Sequence, residues 1–135
     1  MRLVVPFAVA VAIYWFSATT GAVSAVQSGF FVILFEKIGL FSALDYGVKQ
    51  YVVRKIAHLS IYTALGGTMN WALWPYTPKK AEKIAFFVSV IYAMFDEAHQ
   101  ILVAGRYGTV TDVLIDSLGV LMGVCLASIL RKEVA

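Results

Sequence analysis

Phe95-Asp96-Glu97-Ala98-His99-Gln100-Ile101-Leu102-Val103-Ala104-Gly105-Arg106-Tyr107-Gly108-Thr109-Val110-Thr111-Asp112-Val113-Leu114-Ile115-Asp116 is the stretch whose reading decides the fold. It carries four of the chain's eight acids and one of its two histidines, yet apolar runs flank it on both sides. Gly105 and Gly108 bracket Arg106 and Tyr107, and two glycines permit the positive φ angles that a chain reversal needs. The stretch therefore reads as the polar end of one apolar helix, a tight turn, and the polar start of the next.

The surroundings identify the solvent. Of 135 residues, 61% are hydrophobic and only 14% are charged, with a mean hydropathy of +0.82. A soluble domain carries about 25% charged residues, so this is the composition of an integral membrane protein. The length suits a single membrane domain over 1–135 and leaves no room for a soluble catalytic or nucleotide-binding domain. The net charge of +3 comes from short basic clusters between apolar segments, which speak to topology and not to nucleic acid. One cysteine, Cys125, excludes an internal disulfide and reads as a small packing residue.

Outward from the central stretch, the spacing predicts four spans. Ile84 to Val103 leads into the turn and Val113 to Leu130 leaves it, closed by Arg131 and Lys132. Ile56 to Trp74 precedes them, introduced by Arg54 and Lys55 and ended by Trp71, Trp74, Pro75 and Tyr76, an aromatic belt with a helix stop. Leu3 to Val23 is uncharged and long enough for a hydrocarbon core of about 30 Å. A signal peptide ending near Val23-Ser24-Ala25 is its rival, and the bulky Tyr14, Trp15 and Phe16 favour a retained helix. Between Ser24 and Tyr51, Glu36 and Lys37 split the apolar residues into pieces too short to span, which leaves an interfacial or re-entrant helix, or a plain loop. The expected fold is thus all-α, with four transmembrane helices and room for a short interfacial or re-entrant helix between the first two.

The positive-inside rule favours cytoplasmic termini by a narrow margin. Arg2, Lys79, Lys80, Lys83, Arg131 and Lys132 fall inside, against Lys37, Lys49, Arg54, Lys55 and Arg106 outside. All intramembrane ionisable groups then fall in the outer half of the bundle. Lys55, His58 and Tyr62 share one helical face, as do Asp96, His99 and Gln100, with Glu97 turned by about 100°. Asp112 and Asp116 share a face with Gly119 and Gly123.

Charges at that depth must pair or be hydrated, because each costs about 2.5–3.5 kcal/mol near the bilayer centre. An interhelical polar clamp is one solution. A small outward-facing site is the other. In it Arg54, Lys55 and Arg106 would hold an anion, with Tyr62, Gln100, Asp112 and Asp116 among the contacts. His58, Asp96, Glu97 and His99 would be the groups for proton handling or catalysis. Asp96-Glu97-Ala98-His99 spells a helicase box, but no phosphate-binding Gly-x-x-x-x-Gly-Lys-Ser/Thr accompanies it. Asp96, His99 and His58 could ligate a metal, yet no His-Glu-x-x-His pattern exists, and neither metal nor other cofactor is expected. Gly119-x-x-x-Gly123 could join two copies in a homodimer or let helices of one bundle approach.

Arg54-Lys55-x-Ala57-His58-x-x-x-Tyr62-x-x-Leu65-Gly66 resembles the second-helix motif of the VanZ-like proteins. Asp96-Glu97-x-His99-Gln100, Gly105-Arg106 and Asp112-Val113-x-x-Asp116-x-x-Gly119-x-x-x-Gly123 are similar to their later motifs, so the resemblance runs from about Arg54 to Val124. The first helix departs from the pattern, with Ser17-Ala18-Thr19-Thr20-Gly21 where the family commonly has Ser-Ser-Gln-Pro-Gly. The resemblance implies a small multi-pass protein of the bacterial plasma membrane, in a family named for an accessory protein of glycopeptide (teicoplanin) resistance clusters. It supplies a setting and no settled activity. The expected function is binding, with scope for modification, of an anionic envelope component such as a phospholipid headgroup or a lipid-linked cell-wall precursor. A membrane-embedded hydrolase or transferase using Asp96, Glu97 and His99, and a proton-coupled transporter or accessory subunit, are the alternatives.

Overall fold

In the computed structural model the described residues, 1–41 and 43–134 with side chains as far as Arg131, form five helices and no strand. The expectation for Lys132 falls outside the described side chains. The helices are α1 (Val4–Ser17), α2 (Gly21–Lys37), α3 (Tyr46–Leu73), α4 (Ala81–Gln100) and α5 (Val110–Val134). Among the described residues only α5, over Val110–Arg131, is by itself long and apolar enough to cross a membrane. The pair α1 and α2 qualifies only together, bent by 110° at the break between them.

That break corrects the expectation of one straight span from Leu3 to Val23. Thr20 is extended at φ −60° and ψ 156°, and its side chain accepts from the Val23 N–H as an N-cap, so a new helix starts there. The Gly21 N–H donates to the Ala104 carbonyl at 3.0 Å, and a Cβ at Gly21 would collide with the Gly105 backbone. The α4–α5 turn is thus wedged into the α1–α2 break. Downstream, the segment expected to be a short helix or a loop is a 17-residue helix. Lys49, buried at the start of α3, pairs with Glu36 at 2.5 Å, and Gln50 donates to the Ala25 carbonyl at 3.0 Å. These contacts fold α2 back against α3 and give Glu36 a cationic partner.

Helix α3 starts ten residues before the expected Ile56, because Asp45 caps it by accepting from the Gly47 N–H. Arg54 and Lys55 therefore lie inside the helix and do not flank it. Its 28 residues extend about 42 Å at 1.5 Å per residue. Helices α3 and α5 pack in the same direction: Lys55 meets Asp112, Gly119 lies on Leu59, Gly123 on Thr63 and Gly67, and Asn70 bonds Val124 and Ser128. At Gly66, Gly119 and Gly123 any Cβ would strike backbone of the facing helix. Of the two readings of Gly119 and Gly123, a homodimer seam or a close approach within one bundle, the pair makes the second, where it sets the α3–α5 separation.

Helix α4 runs opposite to both, with Tyr62 bonded to Asp96 near one end and Ser128 to Glu82 near the other. Ile13, Tyr62, Leu65, Ala85, Ala93, Val120 and Val124 form the apolar core. The surface reverses the pattern of a soluble protein: Phe7, Trp15, Phe30, Phe87, Phe95 and Leu126 are exposed, while Asn70, Asp96, Glu97, Gln100 and Asp116 are buried. Cys125 is exposed on α5, which corrects its reading as a small packing residue.

Candidate functional site

The polar groups of the second, third and fourth expected spans do converge at one end of the bundle. Lys55 forms an ion pair with Asp112. One turn further along α3, His58 Nδ1 lies 3.2 Å from Asp116 Oδ1. One more turn on, the Tyr62 hydroxyl donates to Asp96 Oδ2 at 3.1 Å. Three successive residues on one face of α3 thus each meet a carboxylate, which is the arrangement their spacing dictates.

Gln100 joins the α4 acids, its amide donating to Asp96 at 3.2 Å and to Glu97 at 3.0 Å. Glu97 accepts in addition from the Thr109 N–H at 3.0 Å, so the first turn before α5 is tied to the end of α4. Gly108 permits this closeness, since a Cβ there would collide with the Glu97 carbonyl oxygen. Gly105, at φ +72°, supplies the positive φ of the reversal.

His99 does not join them. Its ring packs on Tyr14 of α1 with centroids 5.1 Å apart, and its Nδ1 is buried without a hydrogen-bond partner. Among the described residues no hydrogen bond joins His99 to Asp96, Glu97 or His58, the residues weighed with it for catalysis and for metal ligation. The carboxylate and imidazole atoms that do come together, all within 4.8 Å of one another, belong to His58, Glu97 and Asp116.

Arg106 is buried in the loop between α4 and α5 and is largely committed. Its Nε donates to the Thr19 carbonyl at 3.0 Å, and its Nη2 to the Phe16 carbonyl at 2.7 Å and the Thr19 hydroxyl at 3.0 Å. Its Nη1 reaches Gln100 Oε1 at 3.4 Å. Carbonyls at a helix end have no intrahelical partner, so the guanidinium caps α1 and holds the bend. Burial, with the like charge of Arg54 adding to it, holds this guanidinium below its ordinary pKa, and Asp96 and Glu97 offset part of that.

A cavity of about 400 Å³ opens beside this cluster. Its walls are mainly apolar, from Ile13, Phe16, Phe31, Val53 and Ile61, and its polar lining comes from Arg54, His58, Asp96, Arg106 and the α2 residues Ser24, Gln27 and Ser28. Among the described residues Arg54 makes no ion pair. Of the other cations near this end, Lys55 and Lys49 are paired and Arg106 is engaged by backbone.

A family model described as VanZ/LLP1 matches residues 3–131. This chain belongs to the VanZ-like family. No curated protein and no solved structure matches it. The match takes in α1 and α2 as well as the motif-bearing helices, so the VanZ-like unit includes the bent N-terminal pair that walls the cavity. The polar residues contributed by α2 were missed in the sequence. Ser24 and Ser28, one turn apart in an apolar segment with Gln27 beside them, were the signal for this wall.

Proposed function

We propose that this VanZ-like protein spans the bacterial plasma membrane four times, through the bent pair α1 and α2 as one broken span and through α3, α4 and α5, with both termini cytoplasmic. In this reading it binds the anionic headgroup of an envelope lipid, a phospholipid or a lipid-linked cell-wall precursor, in the cavity between α1, α2 and α3. The observation that carries the proposal is Arg54, a guanidinium in the wall of a largely apolar cavity with no carboxylate paired to it among the described residues. An arginine of this kind offers a planar fork to a phosphate and needs an anion for compensation.

The other expected residues take different parts. Arg106 has one Nη1 hydrogen left to offer and mainly fixes the cavity wall. Lys55 is held by Asp112 and sits outside the lining. His58, oriented through Nδ1 by Asp116, keeps Nε2 for the ligand. An effect on glycopeptide susceptibility would follow from sequestering a precursor or altering lipid composition.

The same dyad supports a second reading. Asp116 positions His58 as a carboxylate orients a general base, so a hydrolase or transferase would centre on His58 and Asp116 and not on His99. Transport has less support, because beyond Tyr62 the bundle is filled by Leu65, Val120 and Val124.

Titrating purified protein in neutral detergent with short-chain phosphatidylglycerol and with a prenyl phosphate tests the proposal. Loss of charge-assisted hydrogen bonds worth about 1.5–3 kcal/mol predicts that Arg54→Ala weakens binding roughly 10- to 100-fold. Phosphatidylcholine of equal chain length should bind poorly to both proteins. Equal affinity of wild type and Arg54→Ala for the anionic lipids would overturn it, and turnover lost in His58→Ala would favour the enzyme.

A further inference from the structure

Behind the cavity wall His58 meets two carboxylates that anion binding does not use. His58, Glu97 and Asp116 bring one imidazole and two carboxylates together from three different helices. Asp116 is fully buried, and its Oδ2 has no hydrogen-bond partner. Glu97 is buried too, and among the described residues its carboxylate accepts hydrogen bonds only from the neutral donors Gln100 and Thr109. Lys55 is spent on Asp112, and Arg106 on backbone and Gln100. Two enclosed carboxylates therefore lack a fixed cation among the described residues, save for whatever charge His58 carries.

We propose that His58, Glu97 and Asp116 form a binding site for one divalent transition-metal ion of the zinc or manganese class. The spacing suits it. Two ligands each about 2.0–2.1 Å from a tetrahedral ion lie about 3.3 Å apart, and His58 Nδ1 and Asp116 Oδ1 are separated by 3.2 Å. Glu97 closes the set within 4.8 Å, and the orphaned Asp116 Oδ2 supplies a further ligand atom. Imidazole with carboxylates and no thiolate suits zinc and manganese over copper(I). Gln100 and the Thr109 N–H hold the Glu97 carboxylate in place, as partners outside a metal's ligand set do. A dication offsets both carboxylates at once, and it staples α3, α4 and α5 together at the end where the α4–α5 turn must be held. This site replaces the sequence expectation of no metal and uses different residues from the trio weighed there. It goes beyond the anion proposal, since Glu97 and Asp116 do not line the cavity.

The test is elemental analysis of the full-length protein purified in detergent without chelator, followed by titration of chelator-stripped protein with Zn²⁺ and with Mn²⁺. The expected result is about one ion per chain, and a thermal transition of stripped protein that rises on adding the ion. Asp116→Asn and Glu97→Gln should each weaken binding at least about 10-fold, whereas His99→Ala and Arg54→Ala should retain it. Folded wild type that isolates without an ion and shows no thermal response to either metal overturns the proposal. So does binding that survives Asp116→Asn or is lost in His99→Ala. Because the wild-type measurement decides by itself, a variant that fails to fold does not shield the idea.

Discussion

Replacing Arg106 by lysine preserves the charge and removes the planar fork, and the structure says how much that should matter. The guanidinium donates to Phe16 O, Thr19 O, Thr19 Oγ1 and Gln100 Oε1, three of these at 2.7–3.0 Å. Hydrogen bonds from a charged donor contribute about 1.5–3 kcal/mol each, and lysine can re-form one or two of them, so about 2–4 kcal/mol should be lost. Alanine leaves the Thr19 carbonyl without this donor and the Phe16 carbonyl to Thr19 alone, and should cost about 3–5 kcal/mol. For a chain of this size about 3–5 °C of Tm accompanies each kcal/mol, so Arg106→Lys should lower Tm by about 6–20 °C in detergent. Thermal unfolding followed by circular dichroism reads this directly, with no lipid added. A shift under about 2 °C would refute the reasoning, and would return Arg106 to the role of a ligand anchor with little structural part.

Gly123→Ala should destabilise by about 2–3 kcal/mol, since its Cβ would meet Thr63 and Gly67 backbone that cannot swing aside, and the same thermal assay checks it. For the Lys55–Asp112 pair, each of Lys55→Gln and Asp112→Asn should cost more than the additive share of the double variant; a cycle in detergent should give a coupling of about 1–2 kcal/mol, and strict additivity would argue that the pair is only nominal. Asn70→Leu should cost about 1–3 kcal/mol, because the Val124 carbonyl and the Ser128 hydroxyl lose the amide that joins α3 to α5.

What could be read from the sequence was whatever depends on spacing within one helix. Lys55, His58 and Tyr62 at intervals of three and four define a face, as do Asp112 and Asp116, and once α3 lies beside α5 and α4 each group finds its partner, Tyr62 on Asp96 of α4. Spacing could not say which edge of α4 turns inward. Glu97 and His99 flank Asp96 and Gln100 on opposite sides, and neighbours distant in sequence decide between them: Thr109 and Asp116 gather Glu97, while Tyr14 of α1 takes His99. The break at Thr20 was likewise hidden. Its local sign, a threonine before a glycine, is common, and its cause is a guanidinium that grips Thr19 from 87 positions away in sequence.

Native mass spectrometry of the protein released gently from its own membrane tests the central claim most directly, comparing wild type, Arg54→Ala and His99→Ala. The account predicts an anionic lipid or prenyl-phosphate adduct on wild type and His99→Ala that is lost from Arg54→Ala. An adduct that Arg54→Ala retains at the wild-type level, or whose loss follows His99 instead, would contradict it.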